Sequence, residues 1–264
     1  MTDEEGLVWH QLEQLDQRVL EQGEPLELSD GTRAILTGGA RFVAISPKDA
    51  EDALRGVSTA TTLLGEIRRR IRAASFRLGD ADSLADRLRE KGDLAGARKA
   101  LEDALAVEVV PHYKEQLEIR LDYQATFEAI FLTGHVEEDF HPWGQIRALS
   151  LRVRQGKPLE PRDDLREFLR KTAPSVAISE AEAEELLDAE KGAEALLAMM
   201  LMRMEDGKQR IFQALYQMIR CEEAGDLEGA RQQLREVLAV ELVPQYRRMA
   251  EENLSRLDRP SSEE

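Results

Sequence analysis

The chain has 264 residues and a mass of 29.8 kDa, 42% of them hydrophobic and only 5% aromatic. That is room for two domains of ordinary size with cores built mainly from Leu, Ala, Val and Ile. A formal net charge of −16 opposes nucleic-acid binding, the single cysteine, Cys221, excludes an internal disulfide framework, and no apolar run approaches the ~20 residues that span a bilayer.

Met1 to Gly6 is acidic where a secretory leader begins basic, so a soluble, cytoplasmic protein is expected. Trp9, Leu12, Leu15 and Val19 follow at three- and four-residue spacing, one stripe of a helix. Gly23-Glu24-Pro25-Leu26-Glu27 ends it, with Gly23 suited to a positive φ. A short polar segment then leads to Gly38-Gly39. Val43-Ala44-Ile45 reads as a loop plugged into the core, with a short extended segment as the alternative. Behind it Ser46 caps a helix, Pro47 takes its first position and Asp49 can complete a capping box.

From Thr59 to Glu90 a long helix is predicted, with Gly65 and Gly79 as places where it can bend. Gly92-Asp93-Leu94 is a tight turn: glycine ends one helix and aspartate caps the next. Ala97, Leu101, Leu105 and Val109 then form the apolar stripe of a returning antiparallel helix. Pro111 is expected to kink that helix so that its last turns, through Leu121, lean toward the Trp9 helix; a true break is the alternative.

Everything so far is then written a second time. Gly156-Lys157-Pro158-Leu159-Glu160, Val176-Ala177-Ile178-Ser179 and Leu238 to Tyr246 repeat their counterparts 133 positions on, as Gly23 to Gly156 shows. Trp143, Ile146, Leu149 and Val153 repeat the first stripe at an offset of 134, so one residue is missing between Val153 and Gly156. Ser179 and Glu182 make the second capping box, Gly192 to Ala224 the second long helix with Gly207 inside it, Gly225-Asp226-Leu227 the second turn, and Pro244 the second proline. The fold class is therefore all-α: two tandem homologous helical domains, each a long antiparallel helical hairpin plus shorter N-terminal helices. The domains are placed at 7–123 and 143–257, joined by a partly helical connector at 124–142 and followed by a frayed tail at 258–264.

Antiparallel pairing about the Gly92 turn sets Arg77 opposite Glu108, and Arg210 opposite Glu241. Each carboxylate sits in a Val-Glu-Val/Leu-Val run where an unpaired charge is costly to bury. Structural Arg–Glu pairs are the leading account, partly exposed carboxylates the second, catalytic ones the last. The same arithmetic sets Arg70 near Tyr113 and Arg203 near Tyr246, and leaves Arg98 and Arg231 to a helix surface or an end contact.

The copies diverge where Glu66-Ile67-Arg68-Arg69-Arg70-Ile71-Arg72 meets Met199-Met200-Leu201-Met202-Arg203-Met204. A candidate interaction surface is placed there, on Arg68, Arg69 and Arg72 of copy one and Met199 and Met202 of copy two. Solvated charge and ordinary methionine core are the competing readings. His135, Glu137, Glu138, Asp139 and His141 offer metal donors without the spacing of His-Glu-x-x-His, and read as polar linker. Ser46 has no histidine and carboxylate held beside it in both copies, and His112 becomes Gln245. There is no phosphate-binding glycine loop. Cys221 stands where copy one has Leu88 and reads as a core or edge residue. No catalytic, cofactor-binding or metal residue is assigned, and no cofactor is expected.

Gly23 to Glu27, Val43 to Ser46, Gly92-Asp93-Leu94-Ala95-Gly96-Ala97-Arg98 and Leu105 to Tyr113, with Ala173 to Ser179, Gly225-Asp226-Leu227-Glu228-Gly229-Ala230-Arg231 and Leu238 to Tyr246, carry a family resemblance. The chain resembles, twice over and across most of residues 7–257, the DUSAM domain, a domain of unknown function in several Myxococcus proteins. The resemblance implies a myxobacterial paralogous family and brings no activity or functional residue with it. The expected function is a non-enzymatic protein-interaction or regulatory module whose partner is another protein. A small-ligand receptor or enzyme with a site between the copies is the alternative, and a structural homo-oligomer a third reading.

Overall fold

The computed structural model describes residues 3–160 and 162–258. The tail expected over 258–264 therefore lies, from Arg259 onward, outside the described residues. Those residues form helices and loops with no strand, and divide into two compact units, Met1–Ala125 and Thr126–Glu264.

In unit one, α1 (Asp3–Asp16) runs into a π-helical turn (Gln17–Glu21), followed by α2 (Asp30–Phe42), α3 (Pro47–Ala53), α4 (Val57–Lys91), α5 (Leu94–Val107) and the start of α6 (Pro111–Thr133), in which the unit boundary falls. Unit two follows the same order. It has α7 (Pro142–Arg154), α8 (Asp163–Thr172) with a 3₁₀ turn (Ala173–Val176), α9 (Glu180–Leu187), α10 (Gly192–Glu223), α11 (Leu227–Val240) and α12 (Pro244–Asp258).

Local chemistry explains most of the boundaries. Gly23 and Gly156 take φ of 76° and 74° just past the first helix of each unit, the left-handed conformation that glycine adopts without penalty. Asp93 and Asp226 accept from the backbone N–H of Gly96 and Gly229 at 2.8 Å, capping α5 and α11. Ser179 and Glu182 close a full capping box on α9, whereas Asp49 in unit one accepts only from the Ser46 hydroxyl, at 2.7 Å. The box expected twice is completed once, because aspartate is one methylene shorter than glutamate. Ala44 and Ala177 sit at φ of 56° and 60° in matching loops, the paid-in strain that turns each chain into its next helix.

Three expectations are corrected. The polar segment before Gly38-Gly39 is the helix α2: Ser29 caps it through Thr32 N–H at 3.1 Å and Leu36 and Ala40 bury its inner face. Its glycines bring it against α1, since a Cβ on Gly39 would lie 3.0 Å from Leu12 and one on Gly38 2.9 Å from Val8. Secondly, Pro111 and Pro244 do not kink a continuous helix. Glu108 and Glu241 are extended, with ψ of 129° and 128°, and each proline opens a new helix at its first position. Thirdly, the last turns of the proline helix do not reach the Trp9 helix. Leu121 and Leu117 join Ala81, Ala85, Ala97, Leu101 and Ala104 at the hairpin end of the unit, while the first-turn Tyr113 packs on the core around Leu12, Leu64 and Ile67.

Candidate functional site

Three of the arginines that recur at the constant offset build the frame of each unit. Arg33 and Arg166 donate to the carbonyls of Leu54 and Leu187 at 2.5 and 2.6 Å, holding the end of α3 and of α9. Arg70 and Arg203 turn to the positive-φ loops, not to the tyrosines set opposite them by antiparallel arithmetic. Arg70 donates to the carbonyls of Val43 and Ala44 at 2.9 and 3.1 Å, and Arg203 reaches that of Ala177 at 3.4 Å. Arg231 ties down the end of α12 through Leu257 O and Asp258, each at 2.8 Å.

The third arginine meets the helix break. Arg77 donates to Glu108 Oε2 at 2.5 Å and Arg210 to Glu241 Oε2 at 2.9 Å, with both carboxylates fully buried. The other oxygen accepts from the backbone: Glu108 Oε1 from Val109 and Val110 N–H at 2.9 and 2.8 Å, and Glu241 Oε1 from Val243 N–H at 2.7 Å. A buried carboxylate thus satisfies the orphan donors at the start of α6 and α12 and is neutralised by arginine. Every oxygen of the two carboxylates has a partner.

Around this break the backbone alternates. Glu108 and Val110 face in, and Val107 and Val109 face solvent at 61% and 54% exposure. In unit two Val240 and Leu242 do the same at 61% and 57%. Several other exposed large apolar residues have lost their character in the opposite copy: Phe76 matches Gln209, Ile119 matches Glu252, Phe212 matches Gly79, Tyr216 matches Ser83 and Ile219 matches Asp86, whereas exposed Leu227 keeps a leucine at Leu94. Leu242 in place of Val109 shows that apolarity, not β-branching, is what both copies keep.

Beside this corner the two units differ. In unit two Tyr246 is buried: its hydroxyl donates to Met204 O at 3.0 Å and its ring lies 5.5 Å from that of Trp143. Trp143 donates through Nε1 to Ser175 Oγ at 3.0 Å. The ring fits because α10 carries Gly207 beneath it; a Cβ there would strike Tyr246 Cδ2 and lie 2.7 Å from Cε2. In unit one the matching residue is Ala74, with its methyl in place, and Tyr113 stays half-exposed. Trp9 turns to Glu13, donating at 3.1 Å. Between them lies an open cleft of about 600 Å³ lined by Trp9, Arg41, Phe42, His112, Tyr113 and Glu115. Arg41 makes no ion pair among the described residues. Retention of Tyr113 and Tyr246 opposite unlike residues was the only sequence signal for this asymmetry.

Burial pushes the Tyr246 hydroxyl up to about 12. An unfolded tyrosine ionises near 10, so between pH 10 and 12 the unfolded chain releases a proton that the folded chain keeps, and stability falls as pH rises through that window. About 2 kcal/mol is expected to be lost from this group. Urea unfolding of the native chain and of Tyr246→Phe should show a difference in stability that shrinks from pH 10 to pH 12.

The arginine face of copy one is only partly free. Arg68 is held by Asp16 at 3.2 Å and Glu21 at 2.6 Å, Arg69 by Glu66 at 2.7 Å, and Arg72 is exposed with Glu21 3.9 Å away. Glu21 reaches these arginines through the π-helical turn, which absorbs the residue that copy two lacks. Burial pushes the Asp16 carboxyl up against the opposing pull of Arg68; copy two has Ser150 there. In copy two Met200 and Met204 are core, Met199 is half-buried, and Met202, at the position of Arg69, is exposed. The sequence-defined surface is thus two exposed arginines in one unit and one exposed methionine in the other.

The connector histidines separate in role. His141 Nδ1 accepts from Trp143 N–H at 3.2 Å and caps α7, while the buried Gln145 side chain holds Glu137 through its N–H at 2.9 Å and its carbonyl at 2.6 Å. Among the described residues no three His, Cys, Asp or Glu side chains are grouped to hold a metal ion, and no helix is long and apolar enough to cross a membrane.

Two copies of one arginine-framed helical unit, in tandem, define an all-α duplicated-domain protein. The chain belongs to the family described as Protein of unknown function (DUF2379), whose model matches it twice, over residues 8–123 and 141–257. The second match starts at His141, the cap of α7. No curated protein and no solved structure matches the chain.

Proposed function

We propose that the protein is a non-enzymatic interaction module that engages another protein through the apolar corners at Val107/Val109 and Val240/Leu242. The carrying observation is that both pairs are exposed and apolar in both copies, while most other exposed apolar positions have diverged, Leu227 and its counterpart Leu94 at the turn excepted. An exposed valine contributes little to folding, so duplication leaves it free to drift unless something outside the chain uses it. The buried carboxylate at each corner holds the two side chains outward on a rigid break between helices. Arg69, Arg72 and Met202 lie on surfaces that differ between the copies and give each unit a distinct flank, which supports unlike rather than identical partners. The chain is read as DUSAM-like and myxobacterial on the motifs that carry that resemblance, and as cytoplasmic on its single cysteine.

The test is affinity purification from the native cell at near-endogenous level, run with the native chain and with Val107, Val109, Val240 and Leu242 all changed to Ser. Stability should move by about 0.5 kcal/mol or less per site. A partner recovered by the native chain, then purified, should bind the variant at least about tenfold more weakly, ~1.4 kcal/mol. Equal affinity for the two chains would remove the corners from the function.

A further inference from the structure

We propose that the Trp9 cleft of unit one binds an aromatic side chain of a partner polypeptide, with a neighbouring carboxylate of that partner on Arg41. The proposal rests on the protein-interaction reading and names the chemistry of the contact.

Unit two indicates what the cleft accepts. There the chain supplies the occupant itself: the Tyr246 ring lies against Trp143, 5.5 Å between centroids, in the space that Gly207 leaves open. Unit one keeps the tryptophan and the tyrosine but has Ala74 where that space would be. Tyr113 is left half-exposed, and it forms with Trp9 and Phe42 an aromatic-walled cleft of about 600 Å³ in place of a closed pair. That volume is within the range of sites that take a ring and its flanking chain. Aromatic rings meet edge-to-face or offset at 4.5–7 Å, so an inserted ring can pack on the aromatic walls as the Tyr246 ring packs on Trp143 in unit two.

Charge selects the flank. Arg41 lines the cleft at the end of α2, exposed and without an ion-pair partner among the described residues, with His112 in edge contact with Tyr113 at 5.4 Å. Glu115 is the opposing acid in the lining. A guanidinium at the rim favours a carboxylate next to the ring, and Glu115 disfavours a second one on its own side. Val107, Val109 and Pro111, exposed on the segment that leads into Tyr113, continue the apolar surface along the chain.

The two indole N–H resonances of the full chain provide the readout, Trp9 as the probe and Trp143 as the internal control. Titration with N-acetyl-Asp-Phe-amide should shift Trp9 and leave Trp143 in place. N-acetyl-Asp-Leu-amide and N-acetyl-Lys-Phe-amide should bind roughly fivefold or more weakly. Arg41→Ala should abolish the preference for Asp over Lys. Ala74→Gly removes the methyl that holds Tyr113 out, so the native ring should fill the cleft and weaken the peptide about tenfold. No shift of Trp9 with the Phe peptide, an equal shift with the Leu peptide, or unchanged binding in Ala74→Gly would overturn the proposal. Phenylacetate binding as tightly as the Phe peptide would overturn it in favour of a small aromatic acid. The Ser variant of the four corner residues separates the two readings: if the cleft proposal alone is wrong, corner-dependent partner binding persists without any peptide response at Trp9.

Discussion

Replacing Arg210 by Met is expected to destabilise unit two by about 3 kcal/mol. The reason is the carboxylate left behind. Glu241 is fully buried, with Oε2 on Arg210 at 2.9 Å and Oε1 on Val243 N–H at 2.7 Å. Removing the guanidinium leaves one oxygen charged and without a donor, and solvent does not reach it. The loss stays at the low end for a broken buried pair because the backbone bond remains and because Arg210 itself is partly exposed. Adding Glu241→Gln should restore about 1 kcal/mol or more, since an amide oxygen can still accept from Val243 without carrying a charge. Urea unfolding checks both variants, fitted with two transitions because the chain divides into two compact units. A loss below about 0.5 kcal/mol in the single variant would mean that the carboxylate oxygen finds another donor at no cost.

The second large effect is at Gly207. Gly207→Ala places a methyl against the Tyr246 ring and 3.1 Å from Glu241 Oε1. Both neighbours are buried and neither is the free end of a flexible chain. Overpacking of this kind costs about 1–3 kcal/mol, against a gain of about 1 kcal/mol from alanine in a helix. The net expectation is a loss of up to about 2 kcal/mol, expulsion of Tyr246 from its place on Trp143, and a displaced Trp143 indole resonance. Gly65→Ala and Gly79→Ala should do the opposite and stabilise by up to about 1 kcal/mol, because a Cβ at either meets nothing within 4 Å. Thermal midpoints of the three variants should therefore move in two directions.

Those three glycines show where sequence reading stops. All sit inside predicted long helices, and all look alike as breakers. α4 and α10 run through them unbroken from Val57 to Lys91 and from Gly192 to Glu223. What distinguishes Gly207 is a ring contributed by a residue 39 positions later, Tyr246. Pro111 is a similar case. A proline after Val109 and Val110 is compatible with a kink or a break, and the decision rests on Glu108, whose carboxylate accepts the N–H groups that a continuous helix would have used. The slip from an offset of 134 to 133 was visible as a count. Its consequence, a π-helical turn that carries Glu21 to Arg68, was not. Arg70 was set against Tyr113 by counting along antiparallel helices, yet its long side chain reaches back to the Val43–Ala44 carbonyls. Side-chain reach is not a property of register.

The sequence by itself determined the duplication, the long helix and its return across a tight turn, and the caps and glycine stops at Gly23, Ser46, Gly92 and Asp93 with their copies, because the turns and caps depend on interactions a few residues apart and the duplication on residue identity alone. Tertiary structure alone decided which tyrosine is buried and which lines a cleft. That choice comes from a single methyl group, present on Ala74 and absent from Gly207, at a point where two helices and a ring compete for the same volume.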